Sequence, residues 1–348
     1  MKMLTTARKN LTVYGSALAL GLAAALSSAP VTAEETYTWK VQSHWPGSSS
    51  SYEDSLVRLK NIIEERTDGR LELELYEAGS LFKAKEIFNA VSRGILEMGT
   101  ISPAYAQDKI SLAGIASGLP FAFRNVWEAA YFHQGLGFEQ MLRDEAAKHG
   151  VYWATDKVYP TEMVVKQPIK SWDDFTKLKI RSSGALQTFL TEAGAAASYI
   201  PGGELYTALD SGIVDGAHWG ASQGAFSMGL YEVAKHHVQP ALNIAGTDVI
   251  IVSQKALDKL PEDMQKIVKQ ALAEQFWFRT NEYLYKERIT LAKAINEHGV
   301  QVNTLPDDVQ DRLTQTAQSL WDEEGKRSDN AKKALEMLKD YLSELGYL

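Results

Sequence analysis

EIFNAVSRGILEMGTI (residues 86–101) and ELYTALDSGIVDGAHW (residues 204–219) are one pattern written twice. Aligned without a gap, they share Glu86/Glu204, Ala90/Ala208, Gly94/Gly212 and Ile95/Ile213. They differ conservatively at Ile87/Leu205, Phe88/Tyr206, Val91/Leu209, Leu96/Val214 and Glu97/Asp215. Four identities alone would not exclude chance, but the matched turn chemistry makes one fold unit used twice the better reading. Each copy predicts a short helix with apolar residues four apart. A glycine stops it where a left-handed turn is needed, and a brief apolar strand follows.

Similar elements precede both copies. YTWKVQSHW (37–45) alternates like a strand, an amphipathic helix runs from about Ser50 to Arg66 and closes on TDG, and LELELY (71–76) alternates strictly. Before the second copy, KLKIRSSG (177–184) reads as a strand, ALQTFLTEAG as a helix and AAASYIP as the next strand. Strands alternating with helices predict an α/β fold with parallel-type sheets, whose ligand sites lie outside the carboxyl ends of the strands. Two such sheets facing each other predict two lobes and a cleft. Its walls are the ends of the matched strands, Thr100 to Tyr105 on one side and His218 with Trp219 on the other. A tryptophan is more often core than ligand and a lone histidine is usually satisfied by the backbone, so this pair needs support from elsewhere in the chain.

KVYPTEMVVKQPIKSWDDF carries Pro160 and Pro168 around a strand-like EMVV and predicts the crossing into the second lobe. HHVQPALNIAGTDVIIVS, with Pro240 and Gly246 ahead of the apolar run Val249–Val252, predicts the return. Pro261 opens a helical pattern that runs to His298 before Gly299, with Glu262 and Asp263 in its first turn. At about 1.5 Å per residue it reaches roughly 50 Å, longer than one small lobe, so it is expected to span both. TLPDDVQDRL begins another capped helix, and Asp329–Leu348 reads as a terminal surface helix. The expected organisation is a signal peptide at 1–33, the first segment of lobe one at 34–158 and lobe two at 159–247. Residues 248–348 then return to lobe one with the spanning helix and the C-terminal helices.

Lys2, Arg8 and Lys9, the apolar run Leu11–Leu26 and SSAPVTA make a secretory signal with cleavage after Ala33. The run is shorter than the roughly 20 residues of a membrane span. The mature chain is therefore expected outside the cytoplasm and not inserted in the membrane. The chain has 36 Lys and Arg against 44 Asp and Glu, and residues 1–33 hold three of the basic residues and no acidic one. Such a balance repels phosphate backbones and makes nucleic acid a poor partner. The absence of cysteine excludes thiolate zinc sites, thiol nucleophiles and disulfides.

An enzyme reading has one foothold. GASQG (220–224) matches G-x-S-x-G, follows a predicted strand and precedes a helical stretch, as a nucleophile elbow should. Asp248 and His298 lie in the right order to complete a triad with Ser222. Against it, the motif is short, no oxyanion-hole loop is marked, and His298 falls where the long helix ends. A secreted serine hydrolase stays as the alternative; activated esters offered to the parent and to Ser222→Ala separate the two. No zinc-protease, phosphate-loop or dinucleotide motif is present. His236 and His237 are adjacent, so their side chains diverge and read as a surface pair. SSSS (48–51) reads as a helix start.

Arg181 says more. It ends the strand KLKIR, immediately before SSG and a helix, where a side chain faces the cleft and a guanidinium can pair two oxygens at once.

With these residues in view, the chain resembles the periplasmic solute-binding receptors of TRAP transporters, secondary systems that import organic acids on an ion gradient. The resemblance spans essentially the whole mature chain. QSHWPG, GRLELELYEAGSL, LKIRSSG, PGGELYTALDSGIVDGAHWG and YEVAKHHVQP carry it, and it is nearest to the branch that binds α-keto and related short acids. It implies a two-lobed periplasmic binding protein fold with a long helix spanning both lobes, a small organic acid as ligand, TRAP permease subunits as partners, and no catalysis or cofactor. It also implies that Arg181 pairs the ligand carboxylate; a sulfonate would suit the same fork. Trp219 is expected to pack on the ligand skeleton, and His218, Glu162, Tyr105, Trp45 and Asn243 complete the candidate set. Two positions depart from the branch. His218 stands where it typically has a metal-holding glutamate, and Glu162 where it places a glutamine. Imidazole is a poor ligand for a hard cation, so no metal is expected, and Glu162 and His218 are free to pair with each other or to read a ligand hydroxyl or amine.

Overall fold

The computed structural model describes residues 35–348; the expected signal peptide lies outside them. Nine strands form one sheet: β1 (Tyr37–Gln42), β2 (Leu71–Tyr76), β3 (Met98–Ile101), β4 (Val151–Val165), β5 (Lys179–Arg181), β6 (Ala196–Ser198), β7 (Gly216–His218), β8 (His236–Ser253) and β9 (Gln301–Thr304). The order is β2-β1-β3-β8-β4-β7-β5-β6, with β9 on β8.

The two repeat copies fold alike. A 3₁₀ turn (Ala84–Glu86; Gly202–Glu204) leads into a six-residue helix (Ile87–Ser92; Leu205–Asp210) and then a strand, β3 or β7. Gly94 and Gly212 take φ of 70° and 78°, the left-handed turn the pattern demanded. Pairing is parallel among β1, β2 and β3 and among β5, β6 and β7.

The two groups of strands are joined by the long antiparallel pair β4 and β8. Residues 151–157 of β4 run against 248–253 of β8, while 163–165 run against 236–238. The crossing and the return are thus carried largely by strands. Their ladder is irregular, however, with register shifts between Tyr159 and Thr161 and between Thr161 and Met163. Pro160 and Pro240 fall in this stretch, where neither can donate to a ladder. Thr36–Leu348 holds together as one unit.

The run Val249–Val252 is continuously apolar because helices cover both faces of the sheet there. Val249 and Ile251 pack with Trp153, Phe138 and the C-terminal Leu335 and Leu338. Ile250 and Val252 pack with Leu59, Ile63 and Val268. The helix expected from Ser50 starts as a π-helix (Tyr52–Val57) and continues as α-helix over Arg58–Arg66. The long helix covers Glu262–His298, begins after Pro261 and ends at Gly299 with φ of 65°. It touches the helix Arg58–Arg66 of the first group, strand β4, and the helix Ser222–Ser227 of the second. No described helix is long and apolar enough to cross a membrane.

Candidate functional site

A cleft lies between the two groups of strands and encloses about 710 Å³ of empty space, open water at its mouth included. Trp219 packs against core residues of both groups, and its indole N–H donates to Ser49 Oγ at 3.2 Å across the cleft. The ring lies directly on the backbone of Gly202, where a Cβ would meet it at 2.3 Å, so the PGG run is what admits the indole.

Arg181 sits at the carboxyl end of β5, 2% exposed. Its Nε donates to the Ile200 carbonyl at 3.0 Å and its Nη1 to the His218 carbonyl at 2.9 Å. Its guanidinium carbon is 5.0 Å from the Trp219 ring centre. Among the described residues no carboxylate forms an ion pair with it. A buried guanidinium pinned by neutral carbonyls is a charge without its counter-charge, which is costly unless an anion arrives.

Tyr105, Trp45 and His218 line the same cleft. His218 Nε2 lies 2.9 Å from Ser182 Oγ. Burial, then the neighbouring Arg181 charge, push its pKa down to about 3, so the ring is neutral. Burial raises the Tyr105 hydroxyl above its usual range, with Arg181 opposing. Of the expected walls, Thr100 to Tyr105 and His218 with Trp219, the cleft is lined by Ser102, Ala104, Tyr105, His218 and Trp219, while Thr100 is buried behind His44; Ser49 and Ser51 of the serine run join them.

Glu162 and Asn243 do not line the cleft. Strand residues alternate in direction, so on β4 Tyr159 and Thr161 face the cavity. Glu162 instead meets His237, with Oε2 2.7 Å from Nε2, and so does not pair with His218. His237, read as a surface residue, is fully buried and also lies 2.7 Å from the Tyr231 hydroxyl. Asn243 is buried and donates to the Gly118 carbonyl at 3.3 Å.

The sequence reading missed the second polar wall. Lys157 is wholly buried, 2.9 Å from Asp156 and 2.7 Å from Asp248. Asp248 also accepts from the Tyr159 hydroxyl at 3.1 Å and lies 3.5 Å from His44 Nε2. Burial alone would raise the Asp248 carboxyl, but Lys157 and His44 hold it well below the usual carboxylate range. Asp248 and His44 both line the cleft, with Tyr159 and Tyr283. The available signal was a charged Asp-Lys pair in the middle of the strand-like VYWATDKVY (151–159).

The hydrolase triad does not assemble. Ser222 is buried with its hydroxyl held against the backbone carbonyl and the carboxylate of Glu287; Asp248 holds Lys157; His298 packs edge-on against Phe226 with ring centres 5.1 Å apart. Nor do three or more His, Asp or Glu side chains among the described residues form a metal-holding group. Among the described residues Asp248 is the one carboxylate lining the cleft, 2.7 Å from the Lys157 ammonium that it shares with Asp156.

The profile of the family described as "Bacterial extracellular solute-binding protein, family 7" matches residues 42–327. The chain is 27% identical over 248 residues to the monocarboxylate 2-oxoacid-binding periplasmic protein of Nostoc sp., across 70% of this chain and 68% of that one. Its fold is similar to that of a TRAP transporter solute-binding protein from Bordetella bronchiseptica, described with calcium and picolinate. The TM-score is 0.82 at 24% identity, over 90% of this chain and 93% of that one. A TRAP periplasmic solute-binding protein from Pseudoalteromonas atlantica, with bound sodium and pyruvate, gives a TM-score of 0.81 at 23% identity, over 89% and 95%.

Proposed function

Because the chain belongs to the bacterial extracellular solute-binding proteins of family 7, binding proteins and not enzymes, we propose that it is a periplasmic receptor of the TRAP type. Its ligand is a small organic acid, held in the cleft by its carboxylate on Arg181 and passed to TRAP permease subunits in the membrane. A sulfonate fits the same fork. The observation that carries this reading is the buried Arg181, pinned by two carbonyls and lacking a carboxylate partner among the described residues. The relatives' names support the ligand class: a 2-oxoacid receptor and structures with picolinate and pyruvate.

The test is a thermal-shift screen of small carboxylates and sulfonates. A ligand at a hundred times its dissociation constant stabilises by about 2.7 kcal/mol, enough to stand out; a screen in which no organic anion shifts the transition would sink the reading. The shift is expected to survive chelator and replacement of sodium. His218 is neutral and tied to Ser182, and Glu162 faces away from the cleft. A tenfold or greater gain in affinity on adding calcium or sodium would overturn that expectation.

The two groups of strands act as the lobes, residues 34–158 with 248–348 and residues 159–247, except that β9 and the apolar residues between 305 and 320 pack with the second group, and they close on the ligand. The irregular β4 and β8 ladder, at Tyr159–Lys166 and Val238–Thr247, is where such bending costs least, because few ladder bonds must break there. Small-angle scattering is expected to give a smaller radius of gyration with saturating ligand than without; equal radii would count against closure.

A further inference from the structure

The cleft presents two opposite charges rather than one. Among the described residues Arg181 is the only Lys or Arg lining it, and Asp248 the only carboxylate. Asp248 is not neutralised by Lys157 alone, since that ammonium is shared with Asp156. His44 lies beside Asp248, its Nε2 3.5 Å from Oδ1, while its backbone N–H donates to Thr100 Oγ1 at 3.0 Å. Arg279 is engaged by Asp54 and Glu282. The trio Asp156, Lys157 and Asp248 thus carries one more carboxylate than ammonium, beside a cavity whose guanidinium is Arg181. A simple monoanion would meet Asp248 unmatched; a zwitterion would match both poles. The cavity wall also carries the rings of Trp45, Tyr159, Trp219 and Tyr283. Trp45, Tyr159 and Tyr283 already lie 4.8, 5.2 and 5.7 Å from the Lys157 ammonium, and such faces attract cations.

We propose that the ligand of this cleft is an organic acid that also bears a cationic nitrogen, with its carboxylate on Arg181 and its nitrogen directed to Asp248 and the neighbouring rings. The proposal rests on the reading of Arg181 as the anion holder and narrows it from organic acids to zwitterions.

Titration calorimetry on acids matched in size and shape tests it. The sets are alanine, lactate and pyruvate; 3-aminopropanoate and 3-hydroxypropanoate; 4-aminobutanoate and butanoate; proline and cyclopentanecarboxylate. In at least one set the amino compound is expected to bind tenfold or more tighter than its uncharged counterparts, and Asp248→Asn is expected to abolish that preference. Asparagine leaves Lys157 paired with Asp156, and the parent protein decides the matter by itself if the variant is unstable. Hydroxy, keto or unsubstituted acids binding as tightly as the amino acids in every set would overturn the proposal while leaving the receptor reading intact. A preference that persists in Asp248→Asn would also overturn it. Binding of none of these acids, together with a blank anion screen, would instead sink the receptor reading itself.

Discussion

Arg181→Ala is expected to weaken binding of the ligand by about thirtyfold or more. Truncating one partner of a buried, hydrogen-bonded charge pair costs roughly 2–5 kcal/mol, much of it from leaving the other charge unpaired, and each 1.4 kcal/mol is about one decade. Arg181→Lys keeps the charge but loses the planar fork that the Ile200 and His218 carbonyls hold in place. It should fall between the parent and alanine. Calorimetry on variants shown to be folded by circular dichroism decides this, and near-parent affinity in Arg181→Ala would mean that the anion is held elsewhere.

A loss of stability, rather than of affinity, is expected from Lys157→Met. Lys157 is fully buried between Asp156 and Asp248, and methionine would leave two carboxylates facing each other with no cation. Breaking a buried pair in this way costs about 3–5 kcal/mol, read as a lower urea midpoint. Adding Asp156→Asn and Asp248→Asn to Lys157→Met should restore much of it, because no charge then remains buried. An unchanged midpoint in the single variant would show that solvent reaches the cluster. The pH dependence has a definite sign. The folded state holds Asp248 below its ordinary value of 3.8, so its contribution is present above that value and is lost as pH falls through the lower folded one. The parent's advantage over the triple variant should therefore shrink in acid, below about pH 4.

Local pattern carried the helices and most of the strands. The alternation in LELELY, the proline start and glycine stop of Glu262–His298, and the repeated Gly94 and Gly212 turns are short-range physics, decided by residues within a few positions of one another. The first half of β4 was harder. VYWATDKVY does not alternate cleanly, because it lies between β8 and the packed helices and is buried on both faces. How the two crossings are built was not legible for a related reason. Proline and glycine mark interrupted backbone bonding in a loop and in a bulged strand alike, and only long-range pairing with β8 distinguishes them.

The site divides along the same line. From sequence alone came the family resemblance, the strand end that carries Arg181, and the facing walls formed by Tyr105 and by His218 with Trp219, because chain direction fixes which end of a parallel strand borders a cleft. The tertiary structure decided which side of β4 looks inward, placing Tyr159 and Thr161 in the cavity and Glu162 against His237. It also brought Lys157 to Asp248, 91 positions away, and set Asp248 in the same cleft as Arg181. A one-residue change of strand phase inverts every side chain, and a charge acquires its partner only when distant strands meet, so neither could be read along the chain.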